Sequence, residues 1–109
     1  MSLTTPTLAG LDILIASGQP VVTMLGASWC APCKVMKARL DNISEKLPKV
    51  TFAYVDADTQ VEFFHKYGVR NVPTLLAFEN GELTERVQNP MTTPNTMLWI
   101  DGAFKGDIS

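Results

Sequence analysis

The two cysteines of this 109-residue chain, Cys30 and Cys33, lie where a strand pattern meets a helix pattern. An apolar run, Val21 to Leu25, precedes them, and Met36 and Leu40 follow at helical spacing. This junction places both sulfurs at the first turn of a helix, where unpaired backbone N–H groups and the helix dipole favour an anion such as a thiolate. The thiolate is the form of cysteine that attacks disulfides. Because a bridge between such close residues closes only a short loop, we interpret the pair as a redox centre rather than a structural staple.

The other patterns predict helices and strands in the order helix, strand, helix, strand, helix, strand, strand, helix. The predicted strands are Val21 to Leu25, Val50 to Asp56, Val72 to Phe78 and Leu83 to Val87, the last two joined by the hairpin signal Asn80-Gly81. The predicted helix boundaries are Thr5-Pro6 to Gly18, Cys33 to Pro48, a start at the capping box of Thr59 and Glu62, and a start at Thr93-Pro94. We expect the third helix to bury Val61, Phe64 and Tyr67. Parallel strands linked by helices, followed by an antiparallel hairpin, predict an α/β fold with a central mixed sheet flanked by helices.

Length and charge narrow the possible classes of protein. A chain of 109 residues, 46% of them hydrophobic, is expected to form a single domain over residues 1–109. The net charge of −2 and the absence of a basic block argue against a nucleic-acid or membrane-surface partner. No secretory signal pattern is visible at the start of the chain, so we predict a cytoplasmic protein in a reducing compartment. We also expect a monomer.

Three stretches of the sequence together resemble the thioredoxin family. They are the active-site motif Trp29-Cys30-Ala31-Pro32-Cys33-Lys34, the segment from Tyr67 to Thr74, and the hairpin from Phe78 to Glu82. The resemblance implies the thioredoxin fold, with a central mixed sheet flanked by helices. Only Met1 to Thr4 precede the first predicted helix, so the N-terminal strand of the family is expected to be short or absent.

The resemblance implies a thiol-disulfide oxidoreductase, specifically a protein-disulfide reductase. The resemblance also implies that Cys30 is the nucleophile and Cys33 is the resolving cysteine. The implied partners are disulfide-containing protein substrates and an external reductase of the thioredoxin reductase type. In relatives this reductase is commonly a flavin enzyme supplied by NADPH, and the chain itself is expected to need no cofactor.

Further site residues follow from the resemblance, each with a structural alternative. Pro73 matches the family's cis-proline and is expected to expose the backbone of Val72 to an extended substrate; the alternative is a trans proline at the start of an edge strand. Trp29 is expected to offer an apolar shoulder to substrates or to serve in packing alone. Ala31 and Pro32 shape the turn between the cysteines, and Pro32 also suits an early helix position on structural grounds alone.

A metal site is not expected in this sequence. Structural zinc normally requires four nitrogen or sulfur ligands, and only Cys30, Cys33 and His65 are available. His65 is expected to be an exposed helix residue.

The sequence departs from the family at two positions that bear on proton transfer. Met24 stands six residues before Cys30, where relatives usually carry a buried acid, and Tyr54 stands where they carry its lysine partner. Because the acid and the lysine are both absent, neither is left as an unpaired buried charge. Deprotonation of Cys33 then depends on water or on a departing thiolate, and we expect slower resolution of the mixed disulfide than in a typical relative.

The fold alone leaves two other functions open. One is an adaptor or binding module in which the redox activity is secondary. The other is a disulfide oxidase or isomerase, which differs from a reductase in its reduction potential.

Overall fold

A computed structural model describes residues 3–88 and 91–105 of the chain, and its elements occur in the predicted order. The helices are α1 (Leu8–Ala16), α2 (Ala31–Lys46), α3 (Val61–Lys66) and α4 (Thr93–Ala103), and the strands are β1 (Val21–Gly26), β2 (Thr51–Asp56), β3 (Thr74–Glu79) and β4 (Glu82–Gln88). Within the described part of the chain, no helix is both long and apolar enough to span a membrane.

The four strands form one mixed sheet in the order β2-β1-β3-β4. Strands β1 and β2 run parallel, whereas β3 lies antiparallel to both β1 and β4. Ahead of α1, Thr4 forms a single parallel bridge to Ala53, and its N–H donates to the Phe52 carbonyl at 2.9 Å. The expectation that the N-terminal strand is short or absent is confirmed for the described residues, which show only this bridge; Met1 and Ser2 lie outside them.

The sheet separates two apolar cores because successive side chains of a strand point to opposite faces. Along β1, Val22 and Met24 belong to the core beneath α2 and α4, whereas Val21 and Leu25 belong to the core beneath α1 and α3. Both cysteines lie in the first of these cores. The helix-covered sheet predicted from the sequence is therefore the observed architecture.

Two predicted helix starts are displaced by one or two residues. The N-cap of α1 is Thr7 rather than Thr5, since its Oγ1 accepts the Gly10 N–H at 3.1 Å. The N-cap of α4 is Thr92 rather than Thr93, and its Oγ1 accepts the Asn95 N–H at 3.3 Å. In each case the hydroxyl that caps is the one that reaches an unpaired N–H three residues ahead.

The predicted capping box of α3 is wrong. The N-cap is Gln60, which makes no capping bond through its side chain, and Thr59 Oγ1 instead donates to Asp56 Oδ2 at 3.3 Å. The predicted apolar face is also rotated, because Phe63 is buried with Phe64 while Val61 is 45% exposed. Ring contacts explain the rotation, since Phe63 packs against Tyr67 with ring centroids 4.8 Å apart.

The predicted hairpin between β3 and β4 is confirmed. Asn80 and Gly81 have φ values of 58° and 81°, the left-handed pair of a type I′ turn. Strand β3 begins at Thr74 rather than Val72, and its pairing with β1 starts opposite Leu25. Proline has no N–H to contribute to a ladder, which agrees with Pro73 lying just before the strand.

Candidate active site

Cys30 caps the amino end of α2, and Cys33 lies in the first turn of that helix. A disulfide joins them, with their Cα atoms 5.3 Å apart. Cys30 has an extended backbone, and its Sγ accepts the Cys33 N–H at 3.2 Å. The sulfur thus takes the place of an N-cap oxygen, where the helix amides and dipole stabilise negative charge. A thiolate at Cys30 is favoured by the same contact.

The two sulfur-bearing residues differ slightly in exposure. Cys30 is 6% exposed and Cys33 is 2% exposed, so the side chain at the helix cap is the more accessible one. The order of exposure is therefore Cys30 before Cys33. This order agrees with the roles predicted for the nucleophile and the resolving residue, which remain predictions.

Trp29 forms an exposed shoulder next to the cysteines. It is 69% exposed, and its Nε1–H donates to Asp58 Oδ1 at 3.3 Å. Ser28 Oγ donates to the other carboxylate oxygen of Asp58 at 3.4 Å. These bonds tie the loop before α2 to the loop after β2 and orient the indole, so Trp29 presents apolar surface to solvent rather than filling the core. Ala31 and Pro32 are also exposed.

The Val72–Pro73 peptide bond is cis, as the resemblance implies. Pro73 is buried, whereas Val72 is half-buried and packs against the core that contains both cysteines. The structure therefore brings the segment before β3 to the same core as the start of α2.

Met24 and Tyr54 lie behind Cys33, on the same face of the sheet. They are partners in the parallel register of β1 and β2, and Met24 is fully buried while Tyr54 is half-buried. A Cβ built on Gly26 would lie 3.1 Å from Tyr54 Oη and 3.3 Å from Cys33 Cβ. The Tyr54 side chain thus crosses Gly26 and ends beside Cys33. Burial raises the pKa of Tyr54 above its ordinary value of 10.0, and the Asp56 carboxylate adds to the increase.

An open cleft of about 460 Å³ borders Cys33 on this side. Its lining includes Lys34, Lys37 and Asp56, for which the sequence predicted no role. Lys37 Nζ lies 4.4 Å from the centroid of the Tyr54 ring, and Asp56 Oδ1 is buried with no hydrogen-bond partner among the described residues. The position of Asp56 near the cysteines could have been predicted from the sequence, because the carboxyl ends of neighbouring parallel strands meet at one edge of a sheet. Strand β2 ends at Asp56, and the cysteine motif follows the end of β1.

His65 is exposed on α3, as expected. Among residues 3–88 and 91–105, no group of three or more His, Cys, Asp or Glu side chains is placed to hold a metal ion.

The family model for thioredoxin matches residues 9–101 of the chain. A thioredoxin of Mycoplasmoides gallisepticum is 31% identical over 72% of this chain and 78% of that protein. A chloroplastic thioredoxin of Arabidopsis thaliana is 30% identical over 86% of this chain, which spans only 55% of that relative's length. The solved structure of a mutant thioredoxin from Halobacterium salinarum NRC-1 superimposes with a TM-score of 0.84, at 26% identity over 94% of this chain and 89% of that chain. Motif, fold and these similarities agree, and the chain belongs to the thioredoxin family.

Proposed function

We propose that this chain is a thiol-disulfide oxidoreductase that reduces disulfides of protein substrates. The observation that supports this most directly is the capping contact, in which Cys30 Sγ accepts a helix N–H at 3.2 Å while bonded to Cys33. A sulfur in that position is stabilised as a thiolate, and its partner sulfur is already within bonding reach.

The reaction takes place in two exchanges. The Cys30 thiolate attacks one sulfur of the substrate disulfide, forming a mixed disulfide and releasing the other substrate sulfur as a thiolate. Cys33 then loses its proton and attacks Cys30 Sγ, which forms the Cys30–Cys33 bond and breaks the bond to the substrate. The cysteine pair loses two electrons, the substrate disulfide gains them, and the two substrate thiolates take up protons from water.

The surface around Cys30 suits an extended protein segment. Trp29 offers an exposed aromatic face, Pro32 is exposed beside it, and the partly exposed Val72 belongs to the neighbouring segment. Main-chain groups near Val72 can pair with such a segment by strand addition. A separate reductase, of the thioredoxin reductase type, then restores the dithiol. We propose that the protein works in a reducing cytoplasm, because the cysteine pair must be returned to its dithiol form after each reaction. We further propose that it is a monomer.

Insulin reduction in the presence of dithiothreitol tests this proposal. Wild type is expected to accelerate precipitation of the insulin chains, whereas Cys30→Ser and Cys33→Ser lose this catalysis. Cys33→Ser, but not Cys30→Ser, should accumulate a mixed disulfide that mass spectrometry identifies. An inactive wild type would instead favour an adaptor role.

Reductase and oxidase readings are separated by equilibrating the pair in glutathione buffers. A potential near those of known reductants supports a reductase, and a strongly oxidising potential supports an oxidase or isomerase.

A further inference from the structure

We propose that the Tyr54 hydroxyl donates a hydrogen bond to the thiolate of Cys33 and thereby promotes the second exchange. The inference rests on the function proposed above. It assigns a role to the side chain that occupies the position of the family's lysine.

The geometry around Gly26 places the two groups together. The point where a Cβ of Gly26 would lie is 3.0 Å from Tyr54 Cε1, 3.1 Å from Tyr54 Oη and 3.3 Å from Cys33 Cβ. Because glycine has no side chain, nothing from β1 separates the phenol from the cysteine. Both residues line the same open cleft. The proposal requires that, once the disulfide opens, the Cys33 sulfur reach the hydroxyl by rotation about its Cα–Cβ bond.

The side chain of Lys37, from α2, packs on the Tyr54 ring. Lys37 follows Cys33 by one helical turn, and its Nζ lies 4.4 Å from the ring centroid, within the range of a cation–π contact. Tyr54 is half-buried and packs against the core that contains Cys33. Its hydroxyl has no hydrogen-bond partner among the residues that the structure describes, so it is free to donate to a new anion.

The phenol remains protonated at neutral pH and acts as a donor rather than a base. Burial and the nearby carboxylates of Asp56 and Asp58 raise its pKa above 10.0. A hydrogen bond to the charged form of a group favours that form, so the donor lowers the pH at which Cys33 ionises. Tyr54 thus offers a neutral donor at the position where relatives usually carry the lysine, while Met24 leaves the position of the acid uncharged.

Other charged side chains line the same cleft as Cys33. Helix α2 contributes Lys34 and Lys37, which favour the thiolate, and β2 contributes Asp56, which opposes it. Strand β1 contributes none, because Met24 and Gly26 carry no charge.

In the proposed step, the Cys33 thiol of the mixed disulfide releases its proton to water in the cleft. The thiolate accepts the Tyr54 O–H while it attacks Cys30 Sγ. The new Cys30–Cys33 bond replaces the bond from Cys30 to the substrate sulfur. That sulfur leaves as a thiolate and takes a proton from water, so the protons balance and Tyr54 ends unchanged.

The test follows reaction of the reduced protein with the aromatic disulfide 5,5′-dithiobis(2-nitrobenzoate), whose released thiolate is coloured. Release on attack by Cys30 depends on reagent concentration, whereas release on attack by Cys33 does not. For Tyr54→Phe we expect an unchanged first phase and a second phase about tenfold slower near neutral pH. This slowing corresponds to an increase of about one unit in the pKa of Cys33. The control is Tyr67→Phe, because Tyr67 packs against Phe63 and Phe78 in the other core. Both phases should match wild type in this variant.

A second measurement does not depend on turnover. In a Cys30→Ser background, thiolate absorbance should give a higher pKa for Cys33 when Tyr54→Phe is added than when the native tyrosine is kept. If Tyr54→Phe folds poorly, Gly26→Ala inserts a methyl group between the two side chains, and it should raise the same pKa and slow the same phase.

An unchanged second phase and an unchanged Cys33 titration would overturn the inference. Equal slowing of both phases, or equal effects of Tyr54→Phe and Tyr67→Phe, would also overturn it by showing a purely structural role. If wild type released no coloured thiolate, the proposed function would fail, and the titration would still decide whether Tyr54 acts on Cys33.

Discussion

Substitution of Met24 by aspartate restores the acid that relatives carry behind the second cysteine. Met24 is fully buried, lies opposite Tyr54 in the parallel register, and shares a core with Cys33 and Met36. We expect a carboxylate in that core to accept the Cys33 proton. Since general base catalysis contributes about 10²–10⁴-fold in favourable cases, we expect the second exchange to accelerate by at least about tenfold.

The same substitution is expected to lower the free energy of unfolding. Replacing buried methionine with a shorter side chain loses packing and leaves a cavity, which we estimate at about 3 kcal/mol. A buried carboxyl also ionises with difficulty, and an increase of about two units in its pKa corresponds to about 2.7 kcal/mol. The total of about 6 kcal/mol is large against a typical stability of about 5–15 kcal/mol.

The charge-dependent part of this loss has a definite pH dependence. With its pKa raised from about 3.9 to about 6, the folded carboxyl binds a proton that the unfolded chain has already released. The free energy of unfolding therefore falls as pH rises from about 4 to about 6. Below about pH 4 the carboxyl is protonated in both states, and only the packing loss remains.

Urea denaturation at several pH values, with Met24→Asn as the matched control, separates the two contributions. The asparagine variant should show the packing loss without the pH dependence, and stopped-flow kinetics should show no acceleration. A resolution rate that is the same in Met24→Asp and Met24→Asn across neutral pH would refute the proton-transfer reasoning. A pH-independent difference in stability between them would refute the buried placement of residue 24.

Two further predictions concern glycine substitutions and the ionisation of Tyr54. Gly26→Ala should lower the free energy of unfolding by about 1–3 kcal/mol, because the new Cβ would lie 3.0 Å from Tyr54 Cε1. A Cβ at Gly102 in α4 would meet nothing within 4 Å, so Gly102→Ala should raise the free energy of unfolding by about 0.5–1 kcal/mol. Urea denaturation that shows the same sign of change for Gly26→Ala and Gly102→Ala would contradict these predictions. Because the pKa of Tyr54 is raised in the folded state, the unfolded chain ionises first, and wild type should lose stability as pH rises above 10.0. Tyr54→Phe should remove the part of this alkaline loss of stability that Tyr54 causes. If the free energy of unfolding fell equally with pH in wild type and Tyr54→Phe above pH 10.0, this prediction would be wrong.

The order of helices and strands was predictable because each element carries a local signal. The left-handed turn at Asn80-Gly81 is one example, and the helix that begins directly after Cys30 is another. The errors lie where several local candidates compete. Thr5, Thr7 and Thr59 all suit an N-cap by residue type, yet only Thr7 caps a helix, because only its hydroxyl reaches an unpaired N–H.

The chemistry of the site was less predictable than its location. The Cys30-x-x-Cys33 motif indicated a redox centre without tertiary information. The hydrogen bond from Trp29 to Asp58 and the contact of Lys37 with the Tyr54 ring were not foreseen. Both join segments that are distant in sequence or belong to different elements, and no local pattern encodes such a distance.

The element order and the position of two sulfurs at the start of a helix could be predicted from the amino-acid sequence, because periodicity, caps and turns act between residues a few positions apart. The position of Tyr54 across Gly26 and near Cys33 could not be predicted in this way, because it is set by long-range packing. That contact depends on β1 and β2 being parallel neighbours with Met24 opposite Tyr54. A slip of one residue would turn Tyr54 to the other face of the sheet, since strand side chains alternate. Register, which long-range packing sets, therefore decides what surrounds the resolving cysteine.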